Sequence, residues 1–341
     1  MSRILTFGEI MLRLQPPGNK RFTEARSFDA CFGGGEANVA VSLAEFGEDA
    51  AFFTKLPKND LADGCVRDLK SRGVNTDFIL RGGERMGIYF CEKGASQRPS
   101  RIIYDRKGSG INDISLCEAD CGKLLEGAEW FHFTGITPAL SDSVLRVLEK
   151  ILKEAKNRGV TVSCDLNFRK KLWSAERARA VMTELMEYTD ILISNEEECK
   201  SVFGLNAAGT DISAGRLDAD GYAEVAAAVC ARFPRLKAVA FTLRGSRSAD
   251  INDWSGILLS GGKCYRSKEY VIRVVDRVGG GDSFSAGLIY SLLNGKDMQY
   301  ALDFAVAASC LKHSVEGDFN LISVAETEEL MNGDGSGRVR R

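Results

Sequence analysis

Asp276-Arg277-Val278-Gly279-Gly280-Gly281-Asp282-Ser283 sets three glycines directly before a carboxylate. An apolar, helix-compatible run follows: Phe284, Ala286, Gly287, Leu288, Ile289, Leu292 and Leu293. A glycine-rich turn that feeds a helix exposes backbone N–H groups at the positive end of the helix dipole, which is a ready anion site. Glycine also lets the backbone approach a phosphate closely. Asp282, in the first helical turn, adds a carboxylate beside that site. A base next to a phosphate site is what activation of a hydroxyl for phosphoryl transfer requires. Asp282 is therefore the candidate base, and the backbone of Gly279, Gly280 and Gly281 the candidate anion hole. The plain alternative is a turn followed by an aspartate that caps a helix.

Three further groups carry candidate chemistry. Gly33-Gly34-Gly35-Glu36-Ala37-Asn38 is a second glycine cluster leading into a helical pattern. Asn195-Glu196-Glu197-Glu198 follows an apolar run. A carboxylate there suits a hydrated Mg²⁺ on a polyphosphate, while an N-cap with acidic residues in the first turn describes the same letters. Asp165, Asn167 and Arg169 alternate at the end of another apolar run. Continued as a strand, that spacing points all three the same way. Arg169 can hold a carboxylate or phosphate bidentately, and a salt-bridged strand end is the alternative.

These groups need a scaffold that gathers distant loops. Short apolar runs at residues 4–7, 51–54, 130–133, 161–165, 191–194 and 238–243 read as buried strands. Helical patterns lie between them at 39–46, 62–72, 141–157, 175–188 and 223–232. Such alternation predicts an α/β domain, a mostly parallel sheet with helices on both faces. Ligands in such sheets bind beyond the carboxyl ends of the strands. Residues 13–32 and 86–107 break the rhythm with short alternating stretches, and read as a small antiparallel sheet.

The two glycine clusters, in this order and near opposite ends of the chain, resemble the paired signatures of PfkB-type, ribokinase-like carbohydrate kinases. The resemblance runs from about Ile4 to about Leu330. It implies one kinase domain over residues 1–332, with a β-lid built from about 11–32 and 86–107 that covers the sugar and often forms a dimer surface. It places Gly33, Gly34, Gly35 and Asn38 at the sugar, with Asp318 completing a pocket. Asn195 and Glu198 match a motif that orders Mg²⁺, through water, around the nucleotide phosphates. Asn167, Asn195, Thr242, Gly245, Gly279 and Gly281 fall on the nucleotide side. ATP and Mg²⁺ are the implied cofactors, and Asp276 leaves room for a monovalent cation. The pattern departs at Arg277, where relatives carry Thr, at Gly280, where they carry Ala, and in the loop expected at residues 249–254.

Several stretches look most like 2-keto-3-deoxygluconate kinases, among them Gly8-Glu9-Ile10-Met11-Leu12-Arg13-Leu14 and Tyr104-Asp105-Arg106-Lys107. In that group lid tyrosines and arginines grip an acid sugar, and Tyr89, Tyr104, Arg106 and Arg169 match those places. A sugar acid needs a cation for its carboxylate, whereas a neutral sugar needs only hydrogen bonds. The implied reaction is phosphorylation of the primary hydroxyl to a 6-phosphate. Asp165-Leu166-Asn167 with Leu172-Trp173 also resembles fructokinases, so a neutral sugar is the alternative substrate, and sheet packing the alternative role of both tyrosines. Asp105 sets a negative charge near the expected carboxylate.

Composition narrows the remaining classes. A net charge of −2 gives no basic field for nucleic acid, and no apolar run has the ~20 residues of a membrane span. Ten scattered cysteines with no Cys-x-x-Cys pair argue against a zinc or disulfide framework, and suit a reduced, cytoplasmic chain. A dinucleotide fingerprint would follow the first strand directly and a P-loop would need Gly-Lys-Ser or Gly-Lys-Thr; neither is present. A regulatory, non-catalytic sugar binder of this kind would have lost the base or the anion hole, and both are intact. A homo-oligomer through the lid is expected, and residues 333–341 read as a disordered tail.

Overall fold

The computed structural model describes residues 3–205 and 219–333; the expected tail lies outside the described residues beyond Gly333. In chain order the strands are β1 (Arg3–Phe7), β2 (Met11–Gln15), β3 (Asp29–Gly33), β4 (Asp49–Leu56), β5 (Ile79–Arg81), β6 (Gly87–Glu92), β7 (Arg101–Asp105), β8 (Ala128–Thr134), β9 (Thr161–Asp165), β10 (Ile191–Ser194), β11 (Ala238–Ser246), β12 (Ile251–Ser260), β13 (Lys263–Arg266) and β14 (Tyr270–Arg273). The helices are α1 (Gly35–Glu45), α2 (Asp60–Ser71), α3 (Cys121–Leu124), α4 (Asp142–Arg158), α5 (Ala175–Leu185), α6 (Glu196–Phe203), α7 (Ala219–Arg232), α8 (Gly280–Leu293), α9 (Met298–Lys312) and α10 (Val324–Asn332).

The large sheet runs β13-β12-β11-β10-β9-β8-β1-β4-β5, with β14 also paired to β12. From β5 to β11 every neighbouring pair is parallel, and β12 closes that edge antiparallel. Apolar side chains leave each inner strand on both faces. On β8, Trp130 enters one core while Phe131 and Phe133 enter the other. Helices α4, α5, α6 and α7 cover the Phe131 face, and α1, α2, α8 and α9 cover the Trp130 face. Of the predicted helices, α2, α4 and α5 carry side-chain N-caps, from Asn59, Ser141 and Ser174. Ser141 accepts from the Val144 N–H to start α4, and Gly159, at φ 71°, ends it in the left-handed region.

The second sheet has four strands in the order β3-β2-β6-β7. It consists of two antiparallel pairs, β2 with β3 and β6 with β7, joined by parallel pairing of β2 with β6. Only three residues, Gly8, Glu9 and Ile10, separate β1 from β2. The small sheet thus rises directly from the carboxyl ends of the large one. No helix of the described residues is long and apolar enough to cross a membrane.

Two local expectations change. Helix α1 begins at Gly35 and not at 39, because Gly34 caps it against the Glu9 backbone and Gly35 opens its first turn. The loop expected at 249–254 shrinks to a turn, since Ile251 already starts β12, which is paired on both sides by β11 and β14.

Candidate active site

Helix α8 begins as the glycines dictate. Gly279 is its N-cap at φ 86°, a left-handed conformation that favours glycine. A Cβ there would also overlap the Asp318 carbonyl oxygen. Among the described residues the N–H groups of Gly279, Gly281 and Asp282 have no acceptor, whereas that of Gly280 leans toward the Arg277 carbonyl at 3.4 Å. Gly280 instead makes room for the His313 ring, and Gly281 faces open space. The orphan donors, and the helix dipole behind them, suit phosphoryl oxygens.

The first glycine cluster meets this turn. Asn38, buried in α1, donates from Nδ2 to Asp282 Oδ2 at 2.7 Å, and its Oδ1 accepts the Gly34 N–H at 3.2 Å. A Cβ on Gly35 would lie 3.7 Å from Asp282 Oδ1 and 3.9 Å from Asn167 Nδ2. Cβ atoms on Gly33 and Gly34 would overlap the Asp318 carboxylate and the Glu9 carbonyl. The glycines therefore pack backbone against the reacting groups. Glu36 lies beneath, fully enclosed, accepting from the Thr134 N–H at 3.0 Å and from the Thr134 and Thr137 hydroxyls.

Asp282 is partly exposed and otherwise surrounded by protein. Burial pushes its carboxyl up to about 7; the Asn38 hydrogen bond opposes this, Asp318 and Glu36 add to it, and Arg169 opposes it. A base must be ionised to accept a proton. We expect kcat/KM to fall about tenfold per pH unit below roughly pH 7 and to level off above. A kcat/KM profile flat between about pH 5.5 and 8 would remove Asp282 from that role.

Asp165 and Glu198, at the carboxyl ends of β9 and β10, form the acidic side of the site. Burial raises both, Glu198 and Asp282 raise Asp165 further, and Arg169 lowers both. Asn195 caps α6, its Oδ1 accepting the Glu198 N–H at 2.9 Å. The capping reading therefore holds, and it leaves Glu198 in electrostatic contact with Asp165. Two close carboxylates fit a divalent cation. No cluster of three or more acid, His or Cys side chains among the described residues could hold one alone, which suits a Mg²⁺ that keeps its waters and takes phosphate oxygens.

The alternating triple is not a continued strand. β9 stops at Asp165, whose Oδ1 accepts the Asn167 N–H at 3.0 Å. Asn167 takes φ 36°, an uncommon conformation for a side-chain-bearing residue and one found at functional sites. The turn leaves Arg169 exposed, with no carboxylate within ion-pair distance among the described residues.

The lid tyrosines face one another, with Tyr89 and Tyr104 opposite in register and their rings 6.0 Å apart. The Tyr89 hydroxyl donates to Asp318, 2.6 Å and 2.5 Å from its two carboxylate oxygens. Asp318 is thus a buried acceptor rather than a plain turn residue. Arg106 differs from expectation. Its Nε donates to Glu9 at 2.7 Å and a second nitrogen pairs with the same carboxylate, while its guanidinium lies over the Tyr104 ring. It is not a free cation, because Glu9 at the end of β1 neutralises it. Asp105 points outward to Arg85 at 2.7 Å, so it adds no negative charge to the pocket.

On the nucleotide side, Thr242 and Gly245 lie on β11 opposite Gly256 and Asp253. Arg277 Nη2 donates to the Ala249 carbonyl at 2.6 Å, tying the β11–β12 turn to the loop before α8. Burial and then Arg244 lower the Arg277 pKa. Motif reading missed Arg13, which is buried between Asp276 and Asp318. Its one visible signal is a charge inside the apolar alternation Met11-Leu12-Arg13-Leu14.

The pfkB family carbohydrate kinase model matches residues 1–323. The crystal structure of 2-dehydro-3-deoxygluconokinase from Thermotoga maritima superposes with a TM-score of 0.94 at 49% identity, over 98% of this chain and 100% of that one. A 2-dehydro-3-deoxygalactonokinase of Haloferax volcanii is 31% identical over 98% of each chain. A 2-dehydro-3-deoxygluconokinase of Thermoproteus tenax is 29% identical over 97% of this chain and 94% of its own. With a large, mostly parallel sheet flanked by helices and a small separate sheet on a ribokinase-like fold, this chain belongs to the pfkB family of carbohydrate kinases.

Proposed function

We propose that this kinase transfers the γ-phosphoryl group of Mg·ATP to the primary hydroxyl of 2-dehydro-3-deoxy-D-gluconate, giving the 6-phosphate. The observation that carries this reading is Arg169, a cation within electrostatic reach of Asp282 that pairs with no carboxylate among the described residues. An acid sugar whose carboxylate pairs with Arg169 would present its far hydroxyl to the base. The relatives' names point to the same class of sugar acid. A neutral sugar would gain nothing from Arg169, and the relatives are named for sugar acids, so the fructokinase reading is not favoured.

In this scheme Asp282 takes the hydroxyl proton as the oxygen attacks the γ-phosphorus. The N–H groups of Gly279, Gly281 and Asp282 donate to the transferring phosphoryl oxygens. Tyr104 and Asp318 line the sugar, beneath Gly33, Gly34 and Gly35. Asn195 and Glu198 would hold Mg²⁺ through water, with Asp165 beside them, and Asn167, Thr242 and Gly245 would border the nucleotide. A bound Mg²⁺ would neutralise charge on the phosphate oxygens. A monovalent cation near Asp276 has a competitor in Arg13, which already pairs with that carboxylate. The free cysteines fit a cytoplasmic setting. The exposed lid residues Phe28 and Ile103 fit a homodimer through the lid, which light scattering would test.

The direct test is ADP release with Mg·ATP and 2-dehydro-3-deoxygluconate, its galactonate epimer, fructose or ribose. Turnover confined to the two sugar acids is expected, and turnover of fructose alone would overturn the substrate. Arg169→Ala should weaken kcat/KM for the acid by roughly 10- to 100-fold, the worth of a charge-assisted hydrogen bond. Arg106→Ala should cost less because Glu9 already neutralises Arg106. Equal losses in the two variants would contradict this division.

A further inference from the structure

Lid strand β2 inserts a cation that the scheme above leaves unused. Arg13 is about 1% exposed, as are its partners to within a point. Its Nη1 donates to Asp318 Oδ1 at 2.7 Å and its Nη2 to Asp276 Oδ2 at 2.6 Å. Gln15 accepts from Nη2 as well, and the Cys91 sulfur lies 3.6 Å from that atom. Burial disfavours the charge, but the Asp276 and Asp318 carboxylates outweigh it and the guanidinium stays protonated.

The two carboxylates belong to different loops. Asp276 lies in the loop that enters α8, where its oxygens accept the N–H groups of Val278 and Gly317, each at 3.2 Å. Asp318 lies in the loop after α9, and its backbone carbonyl sits so close to Gly279 that a Cβ there would overlap it. On its other side the Asp318 carboxylate backs onto Gly33. Lys312 reinforces the same corner, donating to the Val315 and Gly317 carbonyls at 3.2 and 2.8 Å. One guanidinium therefore joins the lid, the anion-hole loop and the carboxylate beneath the sugar. Without it, two buried like charges would face each other across that joint.

We propose that Arg13 is a positioning residue for phosphoryl transfer, whose planar fork fixes the Asp276 and Asp318 loops against each other and ties the seating of the lid to the geometry of the anion hole. The proposal rests on the reading of Asp282 and the Gly279 turn as the reacting centre. Lysine cannot replace the fork, because a single ammonium offers no planar bidentate geometry to two carboxylates. Displacement of an anion hole by even about 1 Å costs up to ~100-fold in rate.

The test uses the full-length chain, with ADP release in wild type measured first. No wild-type turnover of any sugar acid overturns the parent reading and this proposal together. Given turnover, Arg13→Lys should fold, as judged by a cooperative melt, yet lose about tenfold or more in kcat and raise the sugar KM. Arg13→Ala should lose more, and guanidinium at about tens of millimolar should restore its kcat saturably, where sodium at matched ionic strength does not. A purely structural role would not give that rescue. If Arg13→Ala does not fold, Arg13→Lys decides alone. A folded Arg13→Lys enzyme with kcat and sugar KM within about twofold of wild type overturns this proposal while leaving the parent reading standing.

Discussion

Asp282→Asn should lower kcat about a thousandfold, within the range for removal of a general base, while sugar binding changes little. The amide keeps the size of the carboxylate and can keep the Asn38 contact in flipped form, so the site should still assemble. What it cannot do is accept a proton at about pH 7. Separate measurement of sugar Kd by calorimetry and kcat by ADP release distinguishes the two effects. A variant that turns over at more than about a tenth of the wild-type rate would leave the base assignment without support. Loss of binding together with rate would recast Asp282 as a substrate ligand.

Gly279→Ala carries the second large effect, through the backbone rather than a side chain. Gly279 sits at φ 86°, and its α-carbon faces the Asp318 carbonyl too closely for any Cβ. Alanine there must push apart the α8 turn and the Asp318 loop, or rotate the peptide that aims the N–H groups. Either change misaims the donors, and loss of one such donor is worth roughly 10²–10³ in kcat. Gly281→Ala is the comparison within the same turn, since a Cβ at Gly281 meets no protein atom within 4 Å and Gly281 lies in ordinary helical backbone, so its N–H group stays aimed. Steady-state kinetics of the pair should show kcat collapsing at 279 and holding within about threefold at 281. Comparable kcat in both variants would show that the turn does not act through its geometry.

The contrast between those two glycines also marks what local sequence could express. The α8 turn was legible because its chemistry is contiguous: three glycines, an aspartate and an apolar helix face. The strand ends at Asp165 and Ser194 were equally local, since each apolar run stops where the polar residues begin. Which glycine needs to be one was not legible, because the answer depends on the Asp318 carbonyl, 39 residues later in the chain. Arg106 shows the same limit. Its spacing placed it in the lid correctly, but its partner is Glu9, 97 positions away. Arg13 is the extreme case, with its ion-pair partners 263 and 305 positions along the chain. The turn at Asn167 defeated the alternation rule for a different reason. Period-two geometry holds only while the strand continues, and β9 ends at Asp165.

The chemistry of the site divides along the same line. Asp282, Asn38 and the glycines come from motifs that each lie within one turn of a helix. The electrostatic settings of Asp282, Asp165 and Glu198 come from burial and from one another across different strands, and no linear pattern encodes them.

The most direct test of the central claim compares kcat/KM for 2-dehydro-3-deoxygluconate with that for its neutral analogue, in which the C1 carboxylate is reduced to an alcohol. Both carry the same C6 hydroxyl for Asp282, so with formation of the 6-phosphate scored, to set aside the analogue's new C1 alcohol, the comparison reports on the carboxylate and Arg169. The wild-type enzyme should prefer the acid by about tenfold or more, with the preference falling close to parity in Arg169→Ala. Equal kcat/KM for the two sugars in the wild-type enzyme would contradict it.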